Sequence, residues 1–116
     1  MSPRHVIELA DGPGVVDLDG VGHGPIELDG GMMLAALTRV GVGSRIHDQA
    51  IAARDAFRAA IADAIDPDAL DWFHAAQLVK LVAYAASGKR PHWRARADPL
   101  LAEARRTVAR RQAART

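Results

Sequence analysis

The chain has 116 residues, a formal net charge of +1, 49% hydrophobic and 25% charged residues and no cysteine, a composition expected of one soluble globular domain with a modest core. The lack of cysteine excludes a disulfide framework, a thiolate zinc site and a cysteine nucleophile. No unbroken apolar stretch exceeds that from Leu81 to Ala86, far short of the roughly 20 residues that cross a bilayer, and Met1-Ser2-Pro3-Arg4-His5 lacks the apolar core of a secretory signal.

In chain order, residues 1–31 are rich in glycine and proline and alternate apolar with polar side chains. His5 to Leu9, Gly14 to Leu18 and Pro25 to Leu28 each predict a short strand, with Ile7 and Leu9, Val16 and Leu18, and Ile26 and Leu28 on one face at period two. Asp11-Gly12 is a hairpin signal between the first two. Val16-Asp17-Leu18-Asp19-Gly20 and Ile26-Glu27-Leu28-Asp29-Gly30 repeat one alternating phrase, too short to define a repeated domain. The bulky face of such a meander needs a helix to cover it.

Helical periodicity follows. Asp29 is the expected cap of a helix from Met32 to Val40 that ends at Gly41 and Gly43. Ser44 is the expected cap of a second, Arg45 to Ile65, with Ile46, Ala50, Ala53, Phe57, Ile61 and Ala64 inward and Arg54, Asp55, Arg58 and Asp63 in solvent. Asp66-Pro67 opens a third helix that reaches about Ala86 and stops at Ser87-Gly88. Trp72, Ala75, Ala76, Val79, Val82 and Ala83 share one of its faces, while Leu70, Phe73, Leu78 and Leu81 lie on others. That helix is expected at the centre, with its second apolar side against another element or another subunit. Lys89 to Ala97 predicts a basic connector. Asp98-Pro99 predicts the start of a last helix, Leu100 to about Arg115, with a thin stripe of Leu101, Ala104 and Val108 and a fraying end.

Near-neutrality conceals two poles. Residues 1–30 set one cation, Arg4, against six carboxylates, a net of −5, whereas residues 89–116 set nine cations against Asp98 and Glu103, a net of +7. Arg outnumbers Lys 13 to 2, Asp outnumbers Glu 11 to 3, and 24 residues are Ala. GC-rich codons impose these biases, which points to a high-GC bacterium or phage and discounts arginine as a functional signal. The basic end is open to three readings. It can bind nucleic acid through Arg105, Arg106, Arg110, Arg111 and Arg115 with Arg94, Arg96 and Trp93, although the repeated Ala-Arg-Arg rotates these arginines around the helix. It can meet an acidic protein surface, including the acidic arm of a neighbouring copy, or it can be a merely solvated end. Matched opposite charges favour assembly, because complementary patches set register and on-rate.

Catalytic and metal patterns are sparse. His5, His23, His47, His74 and His92 are scattered, with no His-Glu-x-x-His pattern. His47-Asp48 fits a surface pair better than a metal site. Ser2, Ser44 and Ser87 fit a terminus, a cap and a helix stop. Asp17-Leu18-Asp19-Gly20 starts like a calcium loop, but its twelfth position is Leu28 where a bidentate Glu is needed. Ser87-Gly88-Lys89-Arg90 lacks the other elements of a phosphate loop, and Gly20, Gly22 and Gly24 lack a following helix at dinucleotide-site spacing. No cofactor is expected.

The expected fold class is α+β, α-dominated: a short N-terminal β meander packed on about four helices with a basic C-terminal helix. It divides into an acidic glycine-rich arm (1–31), a helical core (32–88) and a basic connector and helix (89–116) of a single domain. The expected function is non-catalytic self-association or docking into a larger complex, a layout like that of small phage head, tail and assembly components. The candidate interface residues are Leu70, Phe73, Leu81 and Tyr84 of the third helix, Trp93, Arg105, Arg106, Arg110 and Arg111 of the basic end, and Asp17 and Asp19 of the arm. The partner is a protein or a second copy, with nucleic acid as the alternative and no membrane. The compartment is then the cytoplasm, or the virion for a phage protein. A small enzyme would need His74 and Asp71 joined with Tyr84 or His92.

Overall fold

The structure, a computed structural model, describes residues 1–19, 21–88 and 90–116. Gly20, which ends the first repeated phrase, and Lys89, which opens the expected connector, lie outside the described residues. A 3-10 turn, Pro3–His5, leads into β1 (Val6–Leu9), which pairs antiparallel with β2 (Gly12–Val15) in the register Val6 to Val15 and Leu9 to Gly12. Gly12 has φ +129°, open to glycine alone among common residues, so the hairpin turns where Asp11-Gly12 predicts. The second strand nevertheless begins and ends earlier than expected. Asp17 takes φ +63°, in the left-handed region, and breaks the extended run before Leu18.

The third expected strand does not form. Ile26 instead starts α1 (Ile26–Gly41). A four-residue alternation fits the first turn of a helix as well as a strand, and long-range packing decides. A Cβ on Gly31 would stand 2.7 Å from the His74 backbone nitrogen, and one on Gly30 would stand 2.9 Å from Leu70 Cδ1. The two glycines therefore let α1 lie directly on the third helix. Asp29 consequently sits in the first turn of α1, not at its cap, and its Oδ1 accepts from the Met1 amino nitrogen at 3.0 Å. The meander thus reduces to a hairpin whose β1 side chains are all exposed. Among the described residues no helix packs extensively on it, and the radius of gyration, 14.7 Å, exceeds the roughly 13 Å of a compact chain of this length.

Ser44 Oγ accepts from Ile46 N at 3.1 Å, and α2 (His47–Ile61) follows, two residues later than expected, with a 3-10 turn at Ala62–Ala64. Of its six expected inward positions only Ala50 is fully buried, whereas Arg54 and Arg58 are half-buried instead of solvated. Asp66 caps α3 (Pro67–Ser87) as predicted, its Oδ1 accepting from Asp68 N at 2.9 Å and Ala69 N at 3.5 Å. Glu27 Oε1 accepts from Asp66 N at 3.0 Å and ties α1 to that cap. Helix α3 packs against α1 and α4, and Ala35, Leu78, Leu100 and Ala104 form the core where the three meet.

Helix α4 (Trp93–Ala114) begins well before Pro99, after His92 in a left-handed conformation. Asp98 is exposed and caps nothing, and Pro99 lies inside the helix without the N–H that the turn before it requires. The first turns hold because Ala97 and Leu100 are buried. The buried stripe is Ala97, Leu100, Glu103, Ala104 and Thr107, which leaves Val108 exposed. The architecture is α-dominated α+β, with four helices and a two-stranded sheet. Among the described residues no helix is long and apolar enough to cross a membrane.

Candidate functional site

The outer face of the α3–α4 pair is a groove of about 530 Å³. Small residues at the crossing, Ala75, Ala76, Ala104 and Ala109, leave it open, and Trp72, Val79, Leu101 and Val108 wall it. Trp72 is 54% and Val79 51% exposed, unusual for large apolar side chains gathered in one place. Polar atoms come from Arg105 and Gln112. The face that the periodicity of α3 singles out is therefore shared: α4 covers Ala75 and one edge, and Trp72, Ala76 and Val79 remain outside.

The C-terminal end of α4 is fastened beside this groove. Arg111 donates from Nε to Asp68 Oδ1 at 2.7 Å and from Nη2 to Oδ2 at 3.0 Å, and Arg115 Nη2 donates to Oδ2 at 2.7 Å. These hydrogen bonds hold the Asp68 carboxyl below its ordinary pKa. The Arg111 guanidinium also lies 5.1 Å from the Trp72 ring centroid. The expected fraying of this helix is thus corrected: a bidentate pair over a long sequence separation pins its last turns to the start of α3.

On the inner side, α2, α3 and α4 bring charge into a buried setting. Glu103 is buried, with Arg106 Nη2 at 2.7 Å, Arg54 Nη1 at 3.6 Å and Arg110 Nη2 at 3.8 Å from its oxygens. Asp71, also buried, accepts from Arg58 Nη2 at 2.6 Å. These pairings explain why Arg54 and Arg58 face inward, since a buried carboxylate requires a partner. Beside them His74 is 2% exposed, and among the described residues neither ring nitrogen has a hydrogen-bond partner. Burial lowers its pKa to about 4, with the Glu103 carboxylate pulling the other way.

The expected interface residues separate sharply. Leu70 is fully buried against α1 and cannot offer a surface, and Leu81 is half-buried on the core cluster. Phe73 is half-buried beside Gly31, whereas Tyr84 is exposed outside both cavities. Trp93, a candidate contact of the basic end, is half-buried with the Arg94 guanidinium 5.5 Å from its ring centroid. Arg105 is exposed at the groove, while Arg106 and Arg110 turn to Glu103 and Thr107, and Arg111 to Asp68. Asp17 lies 3.5 Å from His5 Nε2 and Asp19 is exposed, both in the arm. Tyr84 and His92 do not line the cavity beside His74. Sequence reasoning missed Asp68, Glu103, Arg54 and Arg58. The available signals were Arg54 and Arg58 one turn apart on α2, and Glu103 three residues before Arg106. Among the described residues no group of His, Asp and Glu is arranged to hold a metal ion. Comparison of the chain with protein-family models, curated proteins and solved structures finds no match.

Proposed function

We propose that this chain is a non-catalytic, self-associating assembly component in which the acidic hairpin arm of one copy seats in the α3–α4 groove of the next. The observation that carries this reading is a pair of unpartnered apolar surfaces of opposite charge on one molecule. The arm exposes Leu9, Val15, Leu18 (61%) and Val21 (74%) among Glu8, Asp11, Asp17 and Asp19. The groove exposes Trp72 and Val79 beside Arg105 and Arg111. Apolar contact supplies the affinity and the opposed charges set orientation. Unlike surfaces that meet head to tail close into a ring or extend into a filament. A nucleic-acid-binding role for the basic end is the weaker reading, because Arg106, Arg111 and Arg115 already pair with Glu103 and Asp68 and leave no continuous cationic stripe along α4.

Light scattering after size exclusion tests this. The wild-type chain is expected to grow in mass with concentration, and Val79→Glu (groove) or Leu18→Asp (arm) each to abolish growth. Mixing the two variants restores one sound arm and one sound groove, so a 1:1 dimer that grows no further is expected. A wild-type monomer at roughly 100 µM, where even a micromolar contact would be filled, would overturn the proposal.

A further inference from the structure

We infer that the half-open cavity between α2, α3 and α4 is a binding site for a small phosphate-type oxyanion, held by Arg54, Arg58 and Arg110 beside the buried ring of His74. The site is separate from the groove on the opposite side of the α3–α4 pair. Its volume is about 270 Å³, and Leu34 and His74, both buried, form its inner wall. That volume lies below the usual range for organic ligand pockets, roughly 300–1,000 Å³, which limits the occupant to an ion or a compact ester.

Charge and donor count select the sign. Four guanidiniums, of Arg54, Arg58, Arg106 and Arg110, stand around three carboxylates, of Asp55, Asp71 and Glu103. Arg58 uses only Nη2 towards Asp71, and Arg110 only Nη2 towards Thr107 and Glu103. A guanidinium carries more N–H donors than these contacts employ. His74 backs these donors: its ring nitrogens have no accessible surface and no hydrogen-bond partner among the described residues, so the ring senses an ion in the cavity through its charge. Surplus positive charge and surplus donors, converging from separate helices, suit a ligand with several acceptor oxygens around one centre. A tetrahedral oxyanion has them, whereas a carboxylate offers only two oxygens.

Occupancy is coupled to pH through His74. The groups that face it are Asp71 on its own helix, Arg54, Asp55 and Arg58 from α2, and Glu103 and Arg110 from α4, with apolar Leu34 from α1. An anion beside the ring favours imidazolium and returns its titration towards the ordinary range. Proton linkage then tightens binding by about tenfold between pH 7.5 and 5.5.

The experiment is calorimetric titration of the full chain with sodium sulfate, a dianion throughout that pH range, alongside NMR of the His74 ring. Saturable binding, movement of the ring resonances and the tightening at pH 5.5 are expected. Arg110→Gln is expected to weaken binding at least about fivefold, and His74→Gln to bind without the pH dependence. If Arg110→Gln fails to fold, Arg54→Gln takes its place. A second titration compares inorganic phosphate with methyl phosphate. Preference for the ester assigns an organic phosphomonoester, and preference for the inorganic ion assigns free phosphate. Heats and resonance shifts no larger than those of sodium chloride at equal ionic strength would overturn the inference, as would unchanged binding in the arginine variants.

Discussion

Single residues settle how closely these helices approach. Glycine in a helix interior ordinarily costs about 1 kcal/mol relative to alanine, so adjacent Gly30 and Gly31 in α1 require a compensating contact. At Gly31 the contact is backbone: an added Cβ would meet the His74 nitrogen and the Phe73 carbonyl carbon, both at 2.7 Å. A backbone cannot rotate away as a side chain can. Gly31→Ala is therefore expected to lower stability by about 1–2 kcal/mol, overpacking outweighing the gain in helix propensity. Gly24→Ala serves as the control, because nothing lies within 4 Å of a Cβ at that position. Urea unfolding of both variants checks the pair, and a Gly31→Ala midpoint at or above wild type would refute the close-approach argument.

At the scale of elements, α4 is the clearest case of tertiary contacts overriding local signals. Its interior contains Pro99, its mean composition is highly polar and its apolar stripe is thin, yet it is helical from Trp93 to Ala114. Two attachments hold it: Ala97, Leu100 and Ala104 buried against α3, and the Asp68 carboxylate grasping Arg111 and Arg115. Asp68→Asn is expected to leave the core intact and loosen only the last turns. Hydrogen exchange should then accelerate at residues 110–114 while amides around Leu78 and Leu100 keep their protection. Uniform acceleration along α4 would mean that the helix unfolds as one unit and that Asp68 is not its local fastener. Acid should loosen the same turns. The carboxyl titrates lower in the folded chain, so its contribution is complete above the ordinary carboxyl pKa and fades as pH falls through the depressed one.

The whole molecule carries a second acid sensitivity at higher pH. His74 is buried neutral with a pKa of about 4, against 6.5 for a free imidazole. Between these values the unfolded chain binds a proton that the folded chain does not. Stability from this source is complete above pH 6.5 and declines as pH falls towards 4, by on the order of 3 kcal/mol. Urea midpoints measured in chloride at pH 7.5 and 4.5 should show that loss, and His74→Leu should remove most of it. An equal decline in His74→Leu would assign the effect to other groups. The same buried cluster opposes the apolar groove across the α3–α4 pair, so one helical layer has a charged inner side and an oily outer side.

Local chemistry was legible in the residues themselves. Asp11-Gly12 turns the hairpin, Asp66-Pro67 starts α3, Ser87-Gly88 closes it, and the apolar breadth of α3 places it centrally. Each rests on contacts within a few positions, which sequence order records directly. Other features depend on partners far along the chain: helix in place of strand at Ile26, the early start of α4, the burial of Glu103 and Asp71 with their arginines, and the pinning of the basic end by Asp68. A four-residue alternation, a proline or a charged side chain is compatible with several local conformations. The choice among them follows from which backbone lies 2.7 Å away and which carboxylate is buried nearby, distances that exist only once the helices have packed.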